Sequence, residues 1–475
     1  MHKSLETVVV WFFAAVLAWA PFPLGSNRQW SAALLISLIT LAFGAWVLVA
    51  SNVQQVAWRY AKKLAIPLFL GTLALLWGVV QTLPFVPQEW MHPIWRIAAE
   101  ALGQTLAGAI SLDPWRTGFD VMKLTAYALA LCLAVLIGAD DRRARFLLDA
   151  IIIIGAGYAV YGIALLTLEF RQFELFYSTA PVGSRFAGPF VLHNSYATYA
   201  GLAALAAVAR LFSLGSDRIR AGHGIRILSL SLVNFLLGRG LIYLVALILC
   251  FSTIVLSASQ AGTAAVVLGF FVLLAIALPF AARRENRFLA ASGAIAILTV
   301  LVVFFFISGD NLQRQLDRLV EAGGPDSIRV LAWDAALRMI GDAPLFGLGL
   351  GTFETAFPLY ASKTIHFVLD KAHNDWLEFA AGLGLPAAGA WWLALIWLCA
   401  FCIRGVYVRH RHRVYPAVAI GASALVAFHS AFDFSLQIPA VSLTYATILG
   451  LGVAQAFPSR SFQSARSKTK NGRKR

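Results

Sequence analysis

The chain predicts an all-α, polytopic membrane bundle of about twelve transmembrane helices with a large outer cap loop before the tenth span. Three observations predict it: 475 residues of which 60% are hydrophobic, only 13% charged, and a mean hydropathy of +0.75. A water-soluble chain carries roughly 25% charged and 45–50% apolar residues. Lipid offers backbone N–H and C=O groups no partner, so each crossing needs about 20 mostly apolar residues wound into a helix. Stretches of that kind fall at 7–24, 30–50, 65–84, 119–138, 146–168, 194–214, 240–258, 262–281, 289–308, 377–402, 416–432 and 440–457. Ala18, Trp19 and Ala20 fit a small-residue cleavage pattern behind the first of these, but Pro21 follows and would block cleavage, so the segment reads as a helix.

The net charge of +15 would point to nucleic acid in a soluble chain. Here it separates by face. With the N-terminus cytoplasmic, one face carries 26 Lys+Arg against 6 Asp+Glu and the other 12 against 17. Basic loops stay cytoplasmic, so both termini are expected there, and the basic tail of 458–475 reads as a topology anchor with an affinity for anionic lipid rather than nucleic acid. The four cysteines, Cys132, Cys250, Cys399 and Cys402, all lie inside expected spans and suggest neither a disulfide framework nor a metal site.

This divides the chain into membrane helices over 1–308, with a smaller outer loop at 85–118, a cap over 309–376, membrane helices over 377–457, and the tail. A structureless connection as long as the cap is unusual, so it is expected to fold over the membrane domain. Within it, 328–340 has helical periodicity, with Arg329, Trp333, Ala336 and Ile340 on one face and an Asp334/Arg338 pair at i,i+4, as in a helix lying at the membrane interface. Gly347, Gly349 and Gly351 follow in a G-x-G-x-G run, readable either as a flexible turn or as a backbone wall against phosphate or sugar.

The cap ends on His373, Asn374, Asp375 and Trp376 at the start of the tenth span. An imidazole there suits general-base work on a sugar hydroxyl; Asn374 or Asp375 could equally cap the helix. Arg185, beside the turn at Gly188 and Pro189, offers a bidentate, permanently charged ligand for an oxyanion, or else a snorkelling interfacial arginine. Ser257 to Gly262 makes a tight outer turn, and His429 with Asp433 is either a functional pair near the outer end of the eleventh span or a structural i,i+4 bond.

Taken in order, these pieces resemble the O-antigen ligase/polymerase family of bacterial envelope glycan enzymes. The pieces are Pro21 to Arg28, His92 to Trp95, Arg185 to Asn194, Ser257 to Gly262, Arg329 to Phe353, His373 to Leu377, and His429 to Phe434. The family core falls at about 185–395. The resemblance implies a GT-C-type glycosyltransferase of the bacterial inner membrane, working at its periplasmic face without metal or cofactor. Its donor would be an undecaprenyl-diphosphate-linked glycan, and its acceptor a sugar hydroxyl of lipid A-core or of another lipid-linked repeat, in lipopolysaccharide or exopolysaccharide synthesis. Carried over by position, His373 becomes the catalytic base, with Arg185, Arg329 or Arg338 on the diphosphate and Asn194, Gly349, Gly351, Asn374 and Asp375 as further substrate-binding candidates. One departure stands out: the tight turn commonly reads Ser-x-Ser-Arg in this family, whereas this chain has Gln260, which donates hydrogen bonds but neutralises no charge. A transporter or flippase of lipid-linked sugar also accounts for twelve spans, but no internal repeat is visible and the span centres carry almost no charge. A non-catalytic scaffold for glycan assembly is the third reading, and Gln260 is its best support.

Overall fold

The computed structural model describes residues 2–51, 53–167, 186–219, 238–281, 325–361, 368–409 and 412–457. Among these, sixteen α-helices run in order: α1 (His2–Trp19), α2 (Gln29–Val49), α3 (Val53–Lys63), α4 (Ala65–Val80), α5 (Ile94–Leu102), α6 (Pro114–Ile137), α7 (Asp141–Thr167), α8 (His193–Ile219), α9 (Arg239–Leu256), α10 (Gln260–Ala281), α11 (Pro325–Asp342), α12 (Phe353–Tyr360), α13 (Asp375–Leu383), α14 (Leu385–Val408), α15 (Val414–His429) and α16 (Pro439–Ala456). The all-helical, multi-span expectation holds. Seven helices are long and apolar enough to cross a membrane, or eight if α3 and α4 form one bent span; 4–19, 240–256 and 414–429 are apolar but shorter. The expected ninth span, 289–308, lies outside the described residues, as do 309–324 of the cap and the basic tail.

α16 occupies the centre and is buried along its whole length. It packs on α6, α14 and α15, while α8, α10 and α15 close together on its far side. With lipid outside, apolar burial does not drive helices together, so close approach of small residues does. A Cβ on Gly450 would lie 2.6 Å from the Leu131 carbonyl oxygen, and one on Gly421 would lie 2.9 Å from that of Gly269. Gly450→Val should therefore force α6 and α16 apart and destabilise the fold by about 1–3 kcal/mol, seen as a lower midpoint of thermal unfolding in detergent. A buried polar cluster adds to this: Arg210 Nε donates to Asp149 at 2.7 Å and Arg210 Nη2 to the Tyr243 hydroxyl at 3.1 Å, joining α7, α8 and α9.

Two breaks matter for the site. α3 meets α4 at 86°, around Leu64. Pro67 has no N–H to return to the Lys63 carbonyl, which weakens the helix where it bends. The second break corrects the expected tenth span of 377–402: the helix is cut at Gly384 (φ 78°, ψ 156°) into a short α13 and a long α14. Pro386 follows in the first turn of α14, again removing a donor, and a Cβ at position 384 would lie 2.4 Å from the Leu345 oxygen. α13 is thus a separate element, held beneath the loop at 343–352.

The expected helix over 328–340 is present as α11, with its Asp334–Arg338 pair. Its packed stripe is Ala332, Ala335, Ala336 and Met339, shifted from the expected face, and it lies against α12 and α13. A row of alanines lets α11 approach other helices closely, so this face meets protein.

Candidate functional site

The site is built where two short segments, 371–378 and 429–437, clamp onto each other. The Asp375 N–H donates to the Ser430 carbonyl at 2.8 Å, and Asn374 Nδ2 donates to the Ala431 carbonyl at 3.0 Å. Asn374 also caps α13, its Oδ1 accepting from the Leu377 N–H at 3.1 Å. Its polar atoms are thus engaged in holding the turn. Asp375 Oδ2 accepts from the Ser430 hydroxyl at 2.8 Å and the Leu436 N–H at 3.3 Å, and Oδ1 accepts from Gln437 Nε2 at 3.1 Å. Burial lifts its carboxyl to about 7, against the pull of those donors.

Within this clamp His373 adopts φ 50°, the left-handed region. Such a backbone costs a non-glycine residue on the order of 1–2 kcal/mol and persists only where its surroundings impose it. The ring is held by Asp433, with Nδ1 3.3 Å from Oδ1, and lies edge-on to Phe434 with centroids 5.0 Å apart. Asp433 is fully buried, whereas the His373 side chain is 24% exposed. Burial alone would raise the Asp433 carboxyl, but the His373 hydrogen bond, the charge of His429 and the Phe434 N–H outweigh it and bring it to about 2. Asp433 is therefore an anion tied to one histidine nitrogen, which leaves Nε2 as the nitrogen available to chemistry.

His429 does not take the i,i+4 side-chain bond to Asp433 that its spacing allows. Its Nδ1 meets the hydroxyls of Thr198 at 3.1 Å and Ser435 at 3.0 Å, while His429 Nε2 and Asp433 Oδ2 are buried without a hydrogen-bond partner among the described residues. Thr198 lies one turn from Asn194, whose Oδ1 accepts from the Ser259 hydroxyl at 2.6 Å. A polar chain thus leads from the 257–262 turn, through α8, to His429 and Ser435, which flank Asp433 in the sequence. Gln260 opens α10 beside that turn, in which Ala258 takes φ 49°. Arg329, in the first turns of α11, is near enough to His429 to act on it electrostatically.

On the other flank Lys371 Nζ donates to Glu378 Oε1 at 3.1 Å and to Gln437 Oε1 at 2.5 Å, and the Ala372 N–H donates to Glu378 Oε2 at 2.9 Å. Burial works against the Lys371 charge, but Glu378 and Asp120 outweigh it and hold the ammonium above its ordinary pKa. The glycine run is packed: Gly347, Gly349 and Gly351 all have positive φ, and Cβ atoms there would meet the Gly382 carbonyl, Ser111 Oγ and Asp120 Oδ2 at 2.1–2.3 Å. The Gly349 N–H donates to Gly382 at 2.9 Å. The run is a loop docked on α6 and α13, with glycine required by both sign of φ and space.

The structure therefore brings His373, Asn374 and Asp375 into one clamp and links Asn194 through Thr198 to His429, while Gln260 stands next to Ser259 at the head of α10 and Arg329 acts on His429 from α11. Arg338 pairs with Asp334 on a half-exposed face of α11. Arg185 lies outside the described residues. Sequence reasoning missed that Asp433 serves His373, and it missed Thr198, Ser435, Lys371 and Glu378; Ser435, six residues past His429 in a short turn, gave the only local signal.

Residues 245–391 match the family model described as O-antigen ligase. No curated protein matches the chain. The matched span runs from α9 into α14 and so includes Gln260, Arg329, Arg338, Gly349, Gly351, His373, Asn374 and Asp375, while Asn194, His429 and Asp433 fall outside it.

Proposed function

We propose that this membrane chain, which carries an O-antigen ligase domain, transfers a glycan from an undecaprenyl-diphosphate carrier to an acceptor sugar hydroxyl at the periplasmic face of the inner membrane. The observation that carries the reading is the His373–Asp433 pair, a strained, part-exposed histidine held by a buried carboxylate. In this reading His373 Nε2 takes the proton of the acceptor hydroxyl. The acceptor oxygen bonds to the anomeric carbon, the bond from that carbon to the diphosphate oxygen breaks, and the lipid diphosphate leaves with the electron pair. Asp433 fixes the donating tautomer at Nδ1 and balances the imidazolium that forms. The leaving diphosphate would be met by Arg329, with Arg185 and Arg338 as further cations and Gln260 and Asn194 as neutral contacts; Gly349 and Gly351, packed on α6 and α13, would shape the wall of the site rather than touch the diphosphate. One charge-assisted contact contributes about 1.5–3 kcal/mol where a neutral one gives nearer 1.

A polysaccharide gel of a deletion strain tests the reading. Lipid-linked polymer accumulating while the lipid A-core stays bare is the ligase outcome, and products of one repeat are the polymerase outcome. Unchanged polysaccharide overturns the function. Gln260→Arg should preserve or raise transfer by adding a cation at the α9–α10 turn, checked as kcat/KM for the lipid-linked donor; complete loss would show that this turn does not face the diphosphate.

A further inference from the structure

An apolar groove of about 600 Å³ opens beside the candidate site, bounded by α3, α4, α6, α14, α15 and α16. Its deep end lies at the α3–α4 bend, against Tyr60 and Leu64, and its upper end at Asp375, Trp376 and Ser430. Along α6 its wall runs from Leu124 to Leu136, about 18 Å at 1.5 Å per residue. A wall this apolar suits hydrocarbon, and its upper end touches the clamp that holds His373.

Two further observations say which hydrocarbon. The Tyr127 hydroxyl is buried without a hydrogen-bond partner among the described residues, although burying such a group unpaired is costly. Tyr127 lines both the groove and a small cavity of about 20 Å³ whose otherwise apolar lining also holds Asp120, Lys123, Glu378 and Gln437. A polar handle therefore waits where the groove meets the site, as a chain ending in a sugar or phosphate would require. Second, α15 is a partition. Gly421 and Leu425 pack against α8 and α10, and His429 bonds to Thr198 on that side, whereas Ser423, Val426, Ala427 and Ser430 face the groove. Of the residues assigned to the donor diphosphate, Asn194 and Gln260 belong to the α8 and α10 side.

We infer that the groove holds the hydrocarbon chain of a lipid-borne acceptor, which reaches His373 from the face opposite the donor. This rests on the transfer reading above and adds where the second lipid lies. The donor's chain and its diphosphate stay on the other side of α15, so the two lipids approach one imidazole without crossing.

Gly71 provides the test. It lines the groove, and a Cβ built on it meets nothing within 4 Å, so a large side chain enters the groove without displacing backbone. In Gly71→Phe, the KM for a glycan acceptor on a long prenyl or acyl chain should rise about tenfold or more, because several methylenes lose their burial. The same acceptor glycan as its methyl glycoside should keep its kcat/KM, and the KM for the donor should not move. An unchanged KM for the long-chain acceptor overturns the inference. So does a rise in donor KM instead, which would seat the donor's chain in the groove, or an equal loss with both acceptors. Binding is read separately from transfer with a nitroxide-labelled long-chain alcohol, which should quench the fluorescence of Trp376, Trp391 and Trp392 more in the wild type than in Gly71→Phe. Equal quenching removes the groove assignment; absent transfer by the wild type with unequal quenching removes the functional reading and leaves the groove as a lipid site.

Discussion

His373→Ala is expected to reduce glycan transfer by about a hundred- to ten-thousandfold, the factor a positioned general base contributes. The fold should survive the change. His373 pays a backbone cost at φ 50° that alanine would also pay, and its ring is only partly buried. The segment around it is fastened by bonds that the imidazole does not make: the Ala372 N–H to Glu378, Asn374 to Ala431, and the Asp375 N–H to Ser430. Membrane level and thermal unfolding should therefore stay close to wild type while kcat falls with donor KM unchanged. His373→Gly is a second control: it removes the left-handed strain along with the ring and should be at least as stable as the alanine variant, yet equally inactive. Normal polysaccharide length and attachment in either variant would remove His373 from the mechanism.

How much of this was legible depended on the range over which the signal acts. The spans could be read because lipid imposes a composition on about 20 consecutive residues, and α2, α6, α7, α8 and α10 lie where that composition puts them. The cut at Gly384 is local too: a glycine followed by Leu385 and Pro386 marks a helix end, but the hydrophobic run of 377–402 continues across it and hides the break. The site was half legible. A histidine beside Asn, Asp and Glu at a span boundary advertises chemistry, whereas its partner Asp433 stands sixty residues away on the far side of α14 and α15. Sequence spacing offered Asp433 to His429, four residues back, and no local rule could show that the carboxylate turns the other way. The glycine run misled for the same reason. Three positive-φ glycines look like a flexible or ligand-facing loop until the structure shows α6 and α13 pressed against them.

The second large effect is expected from Asp433→Asn, which keeps the size of the side chain and removes its charge. An asparagine can still meet Nδ1 through its carbonyl oxygen, but it no longer balances an imidazolium. Transfer should fall by about ten- to a thousandfold, part of what the base itself contributes. Rescue by glutamate separates this from a packing defect at any working pH. The Asp433 carboxyl sits at about 2, below its ordinary 3.8. A depressed folded value means the ionised form favours the native state; that stabilisation is complete above the ordinary value and is lost only as pH falls through about 2. Throughout about pH 5 to 8 the wild-type carboxylate is therefore charged, and no limb of its pH–rate profile belongs to Asp433. Asp433→Glu should restore part of kcat, with a longer side chain reaching the same nitrogen. A loss of activity that glutamate does not rescue would reduce Asp433 to a packing residue and leave His373 without an orienting partner.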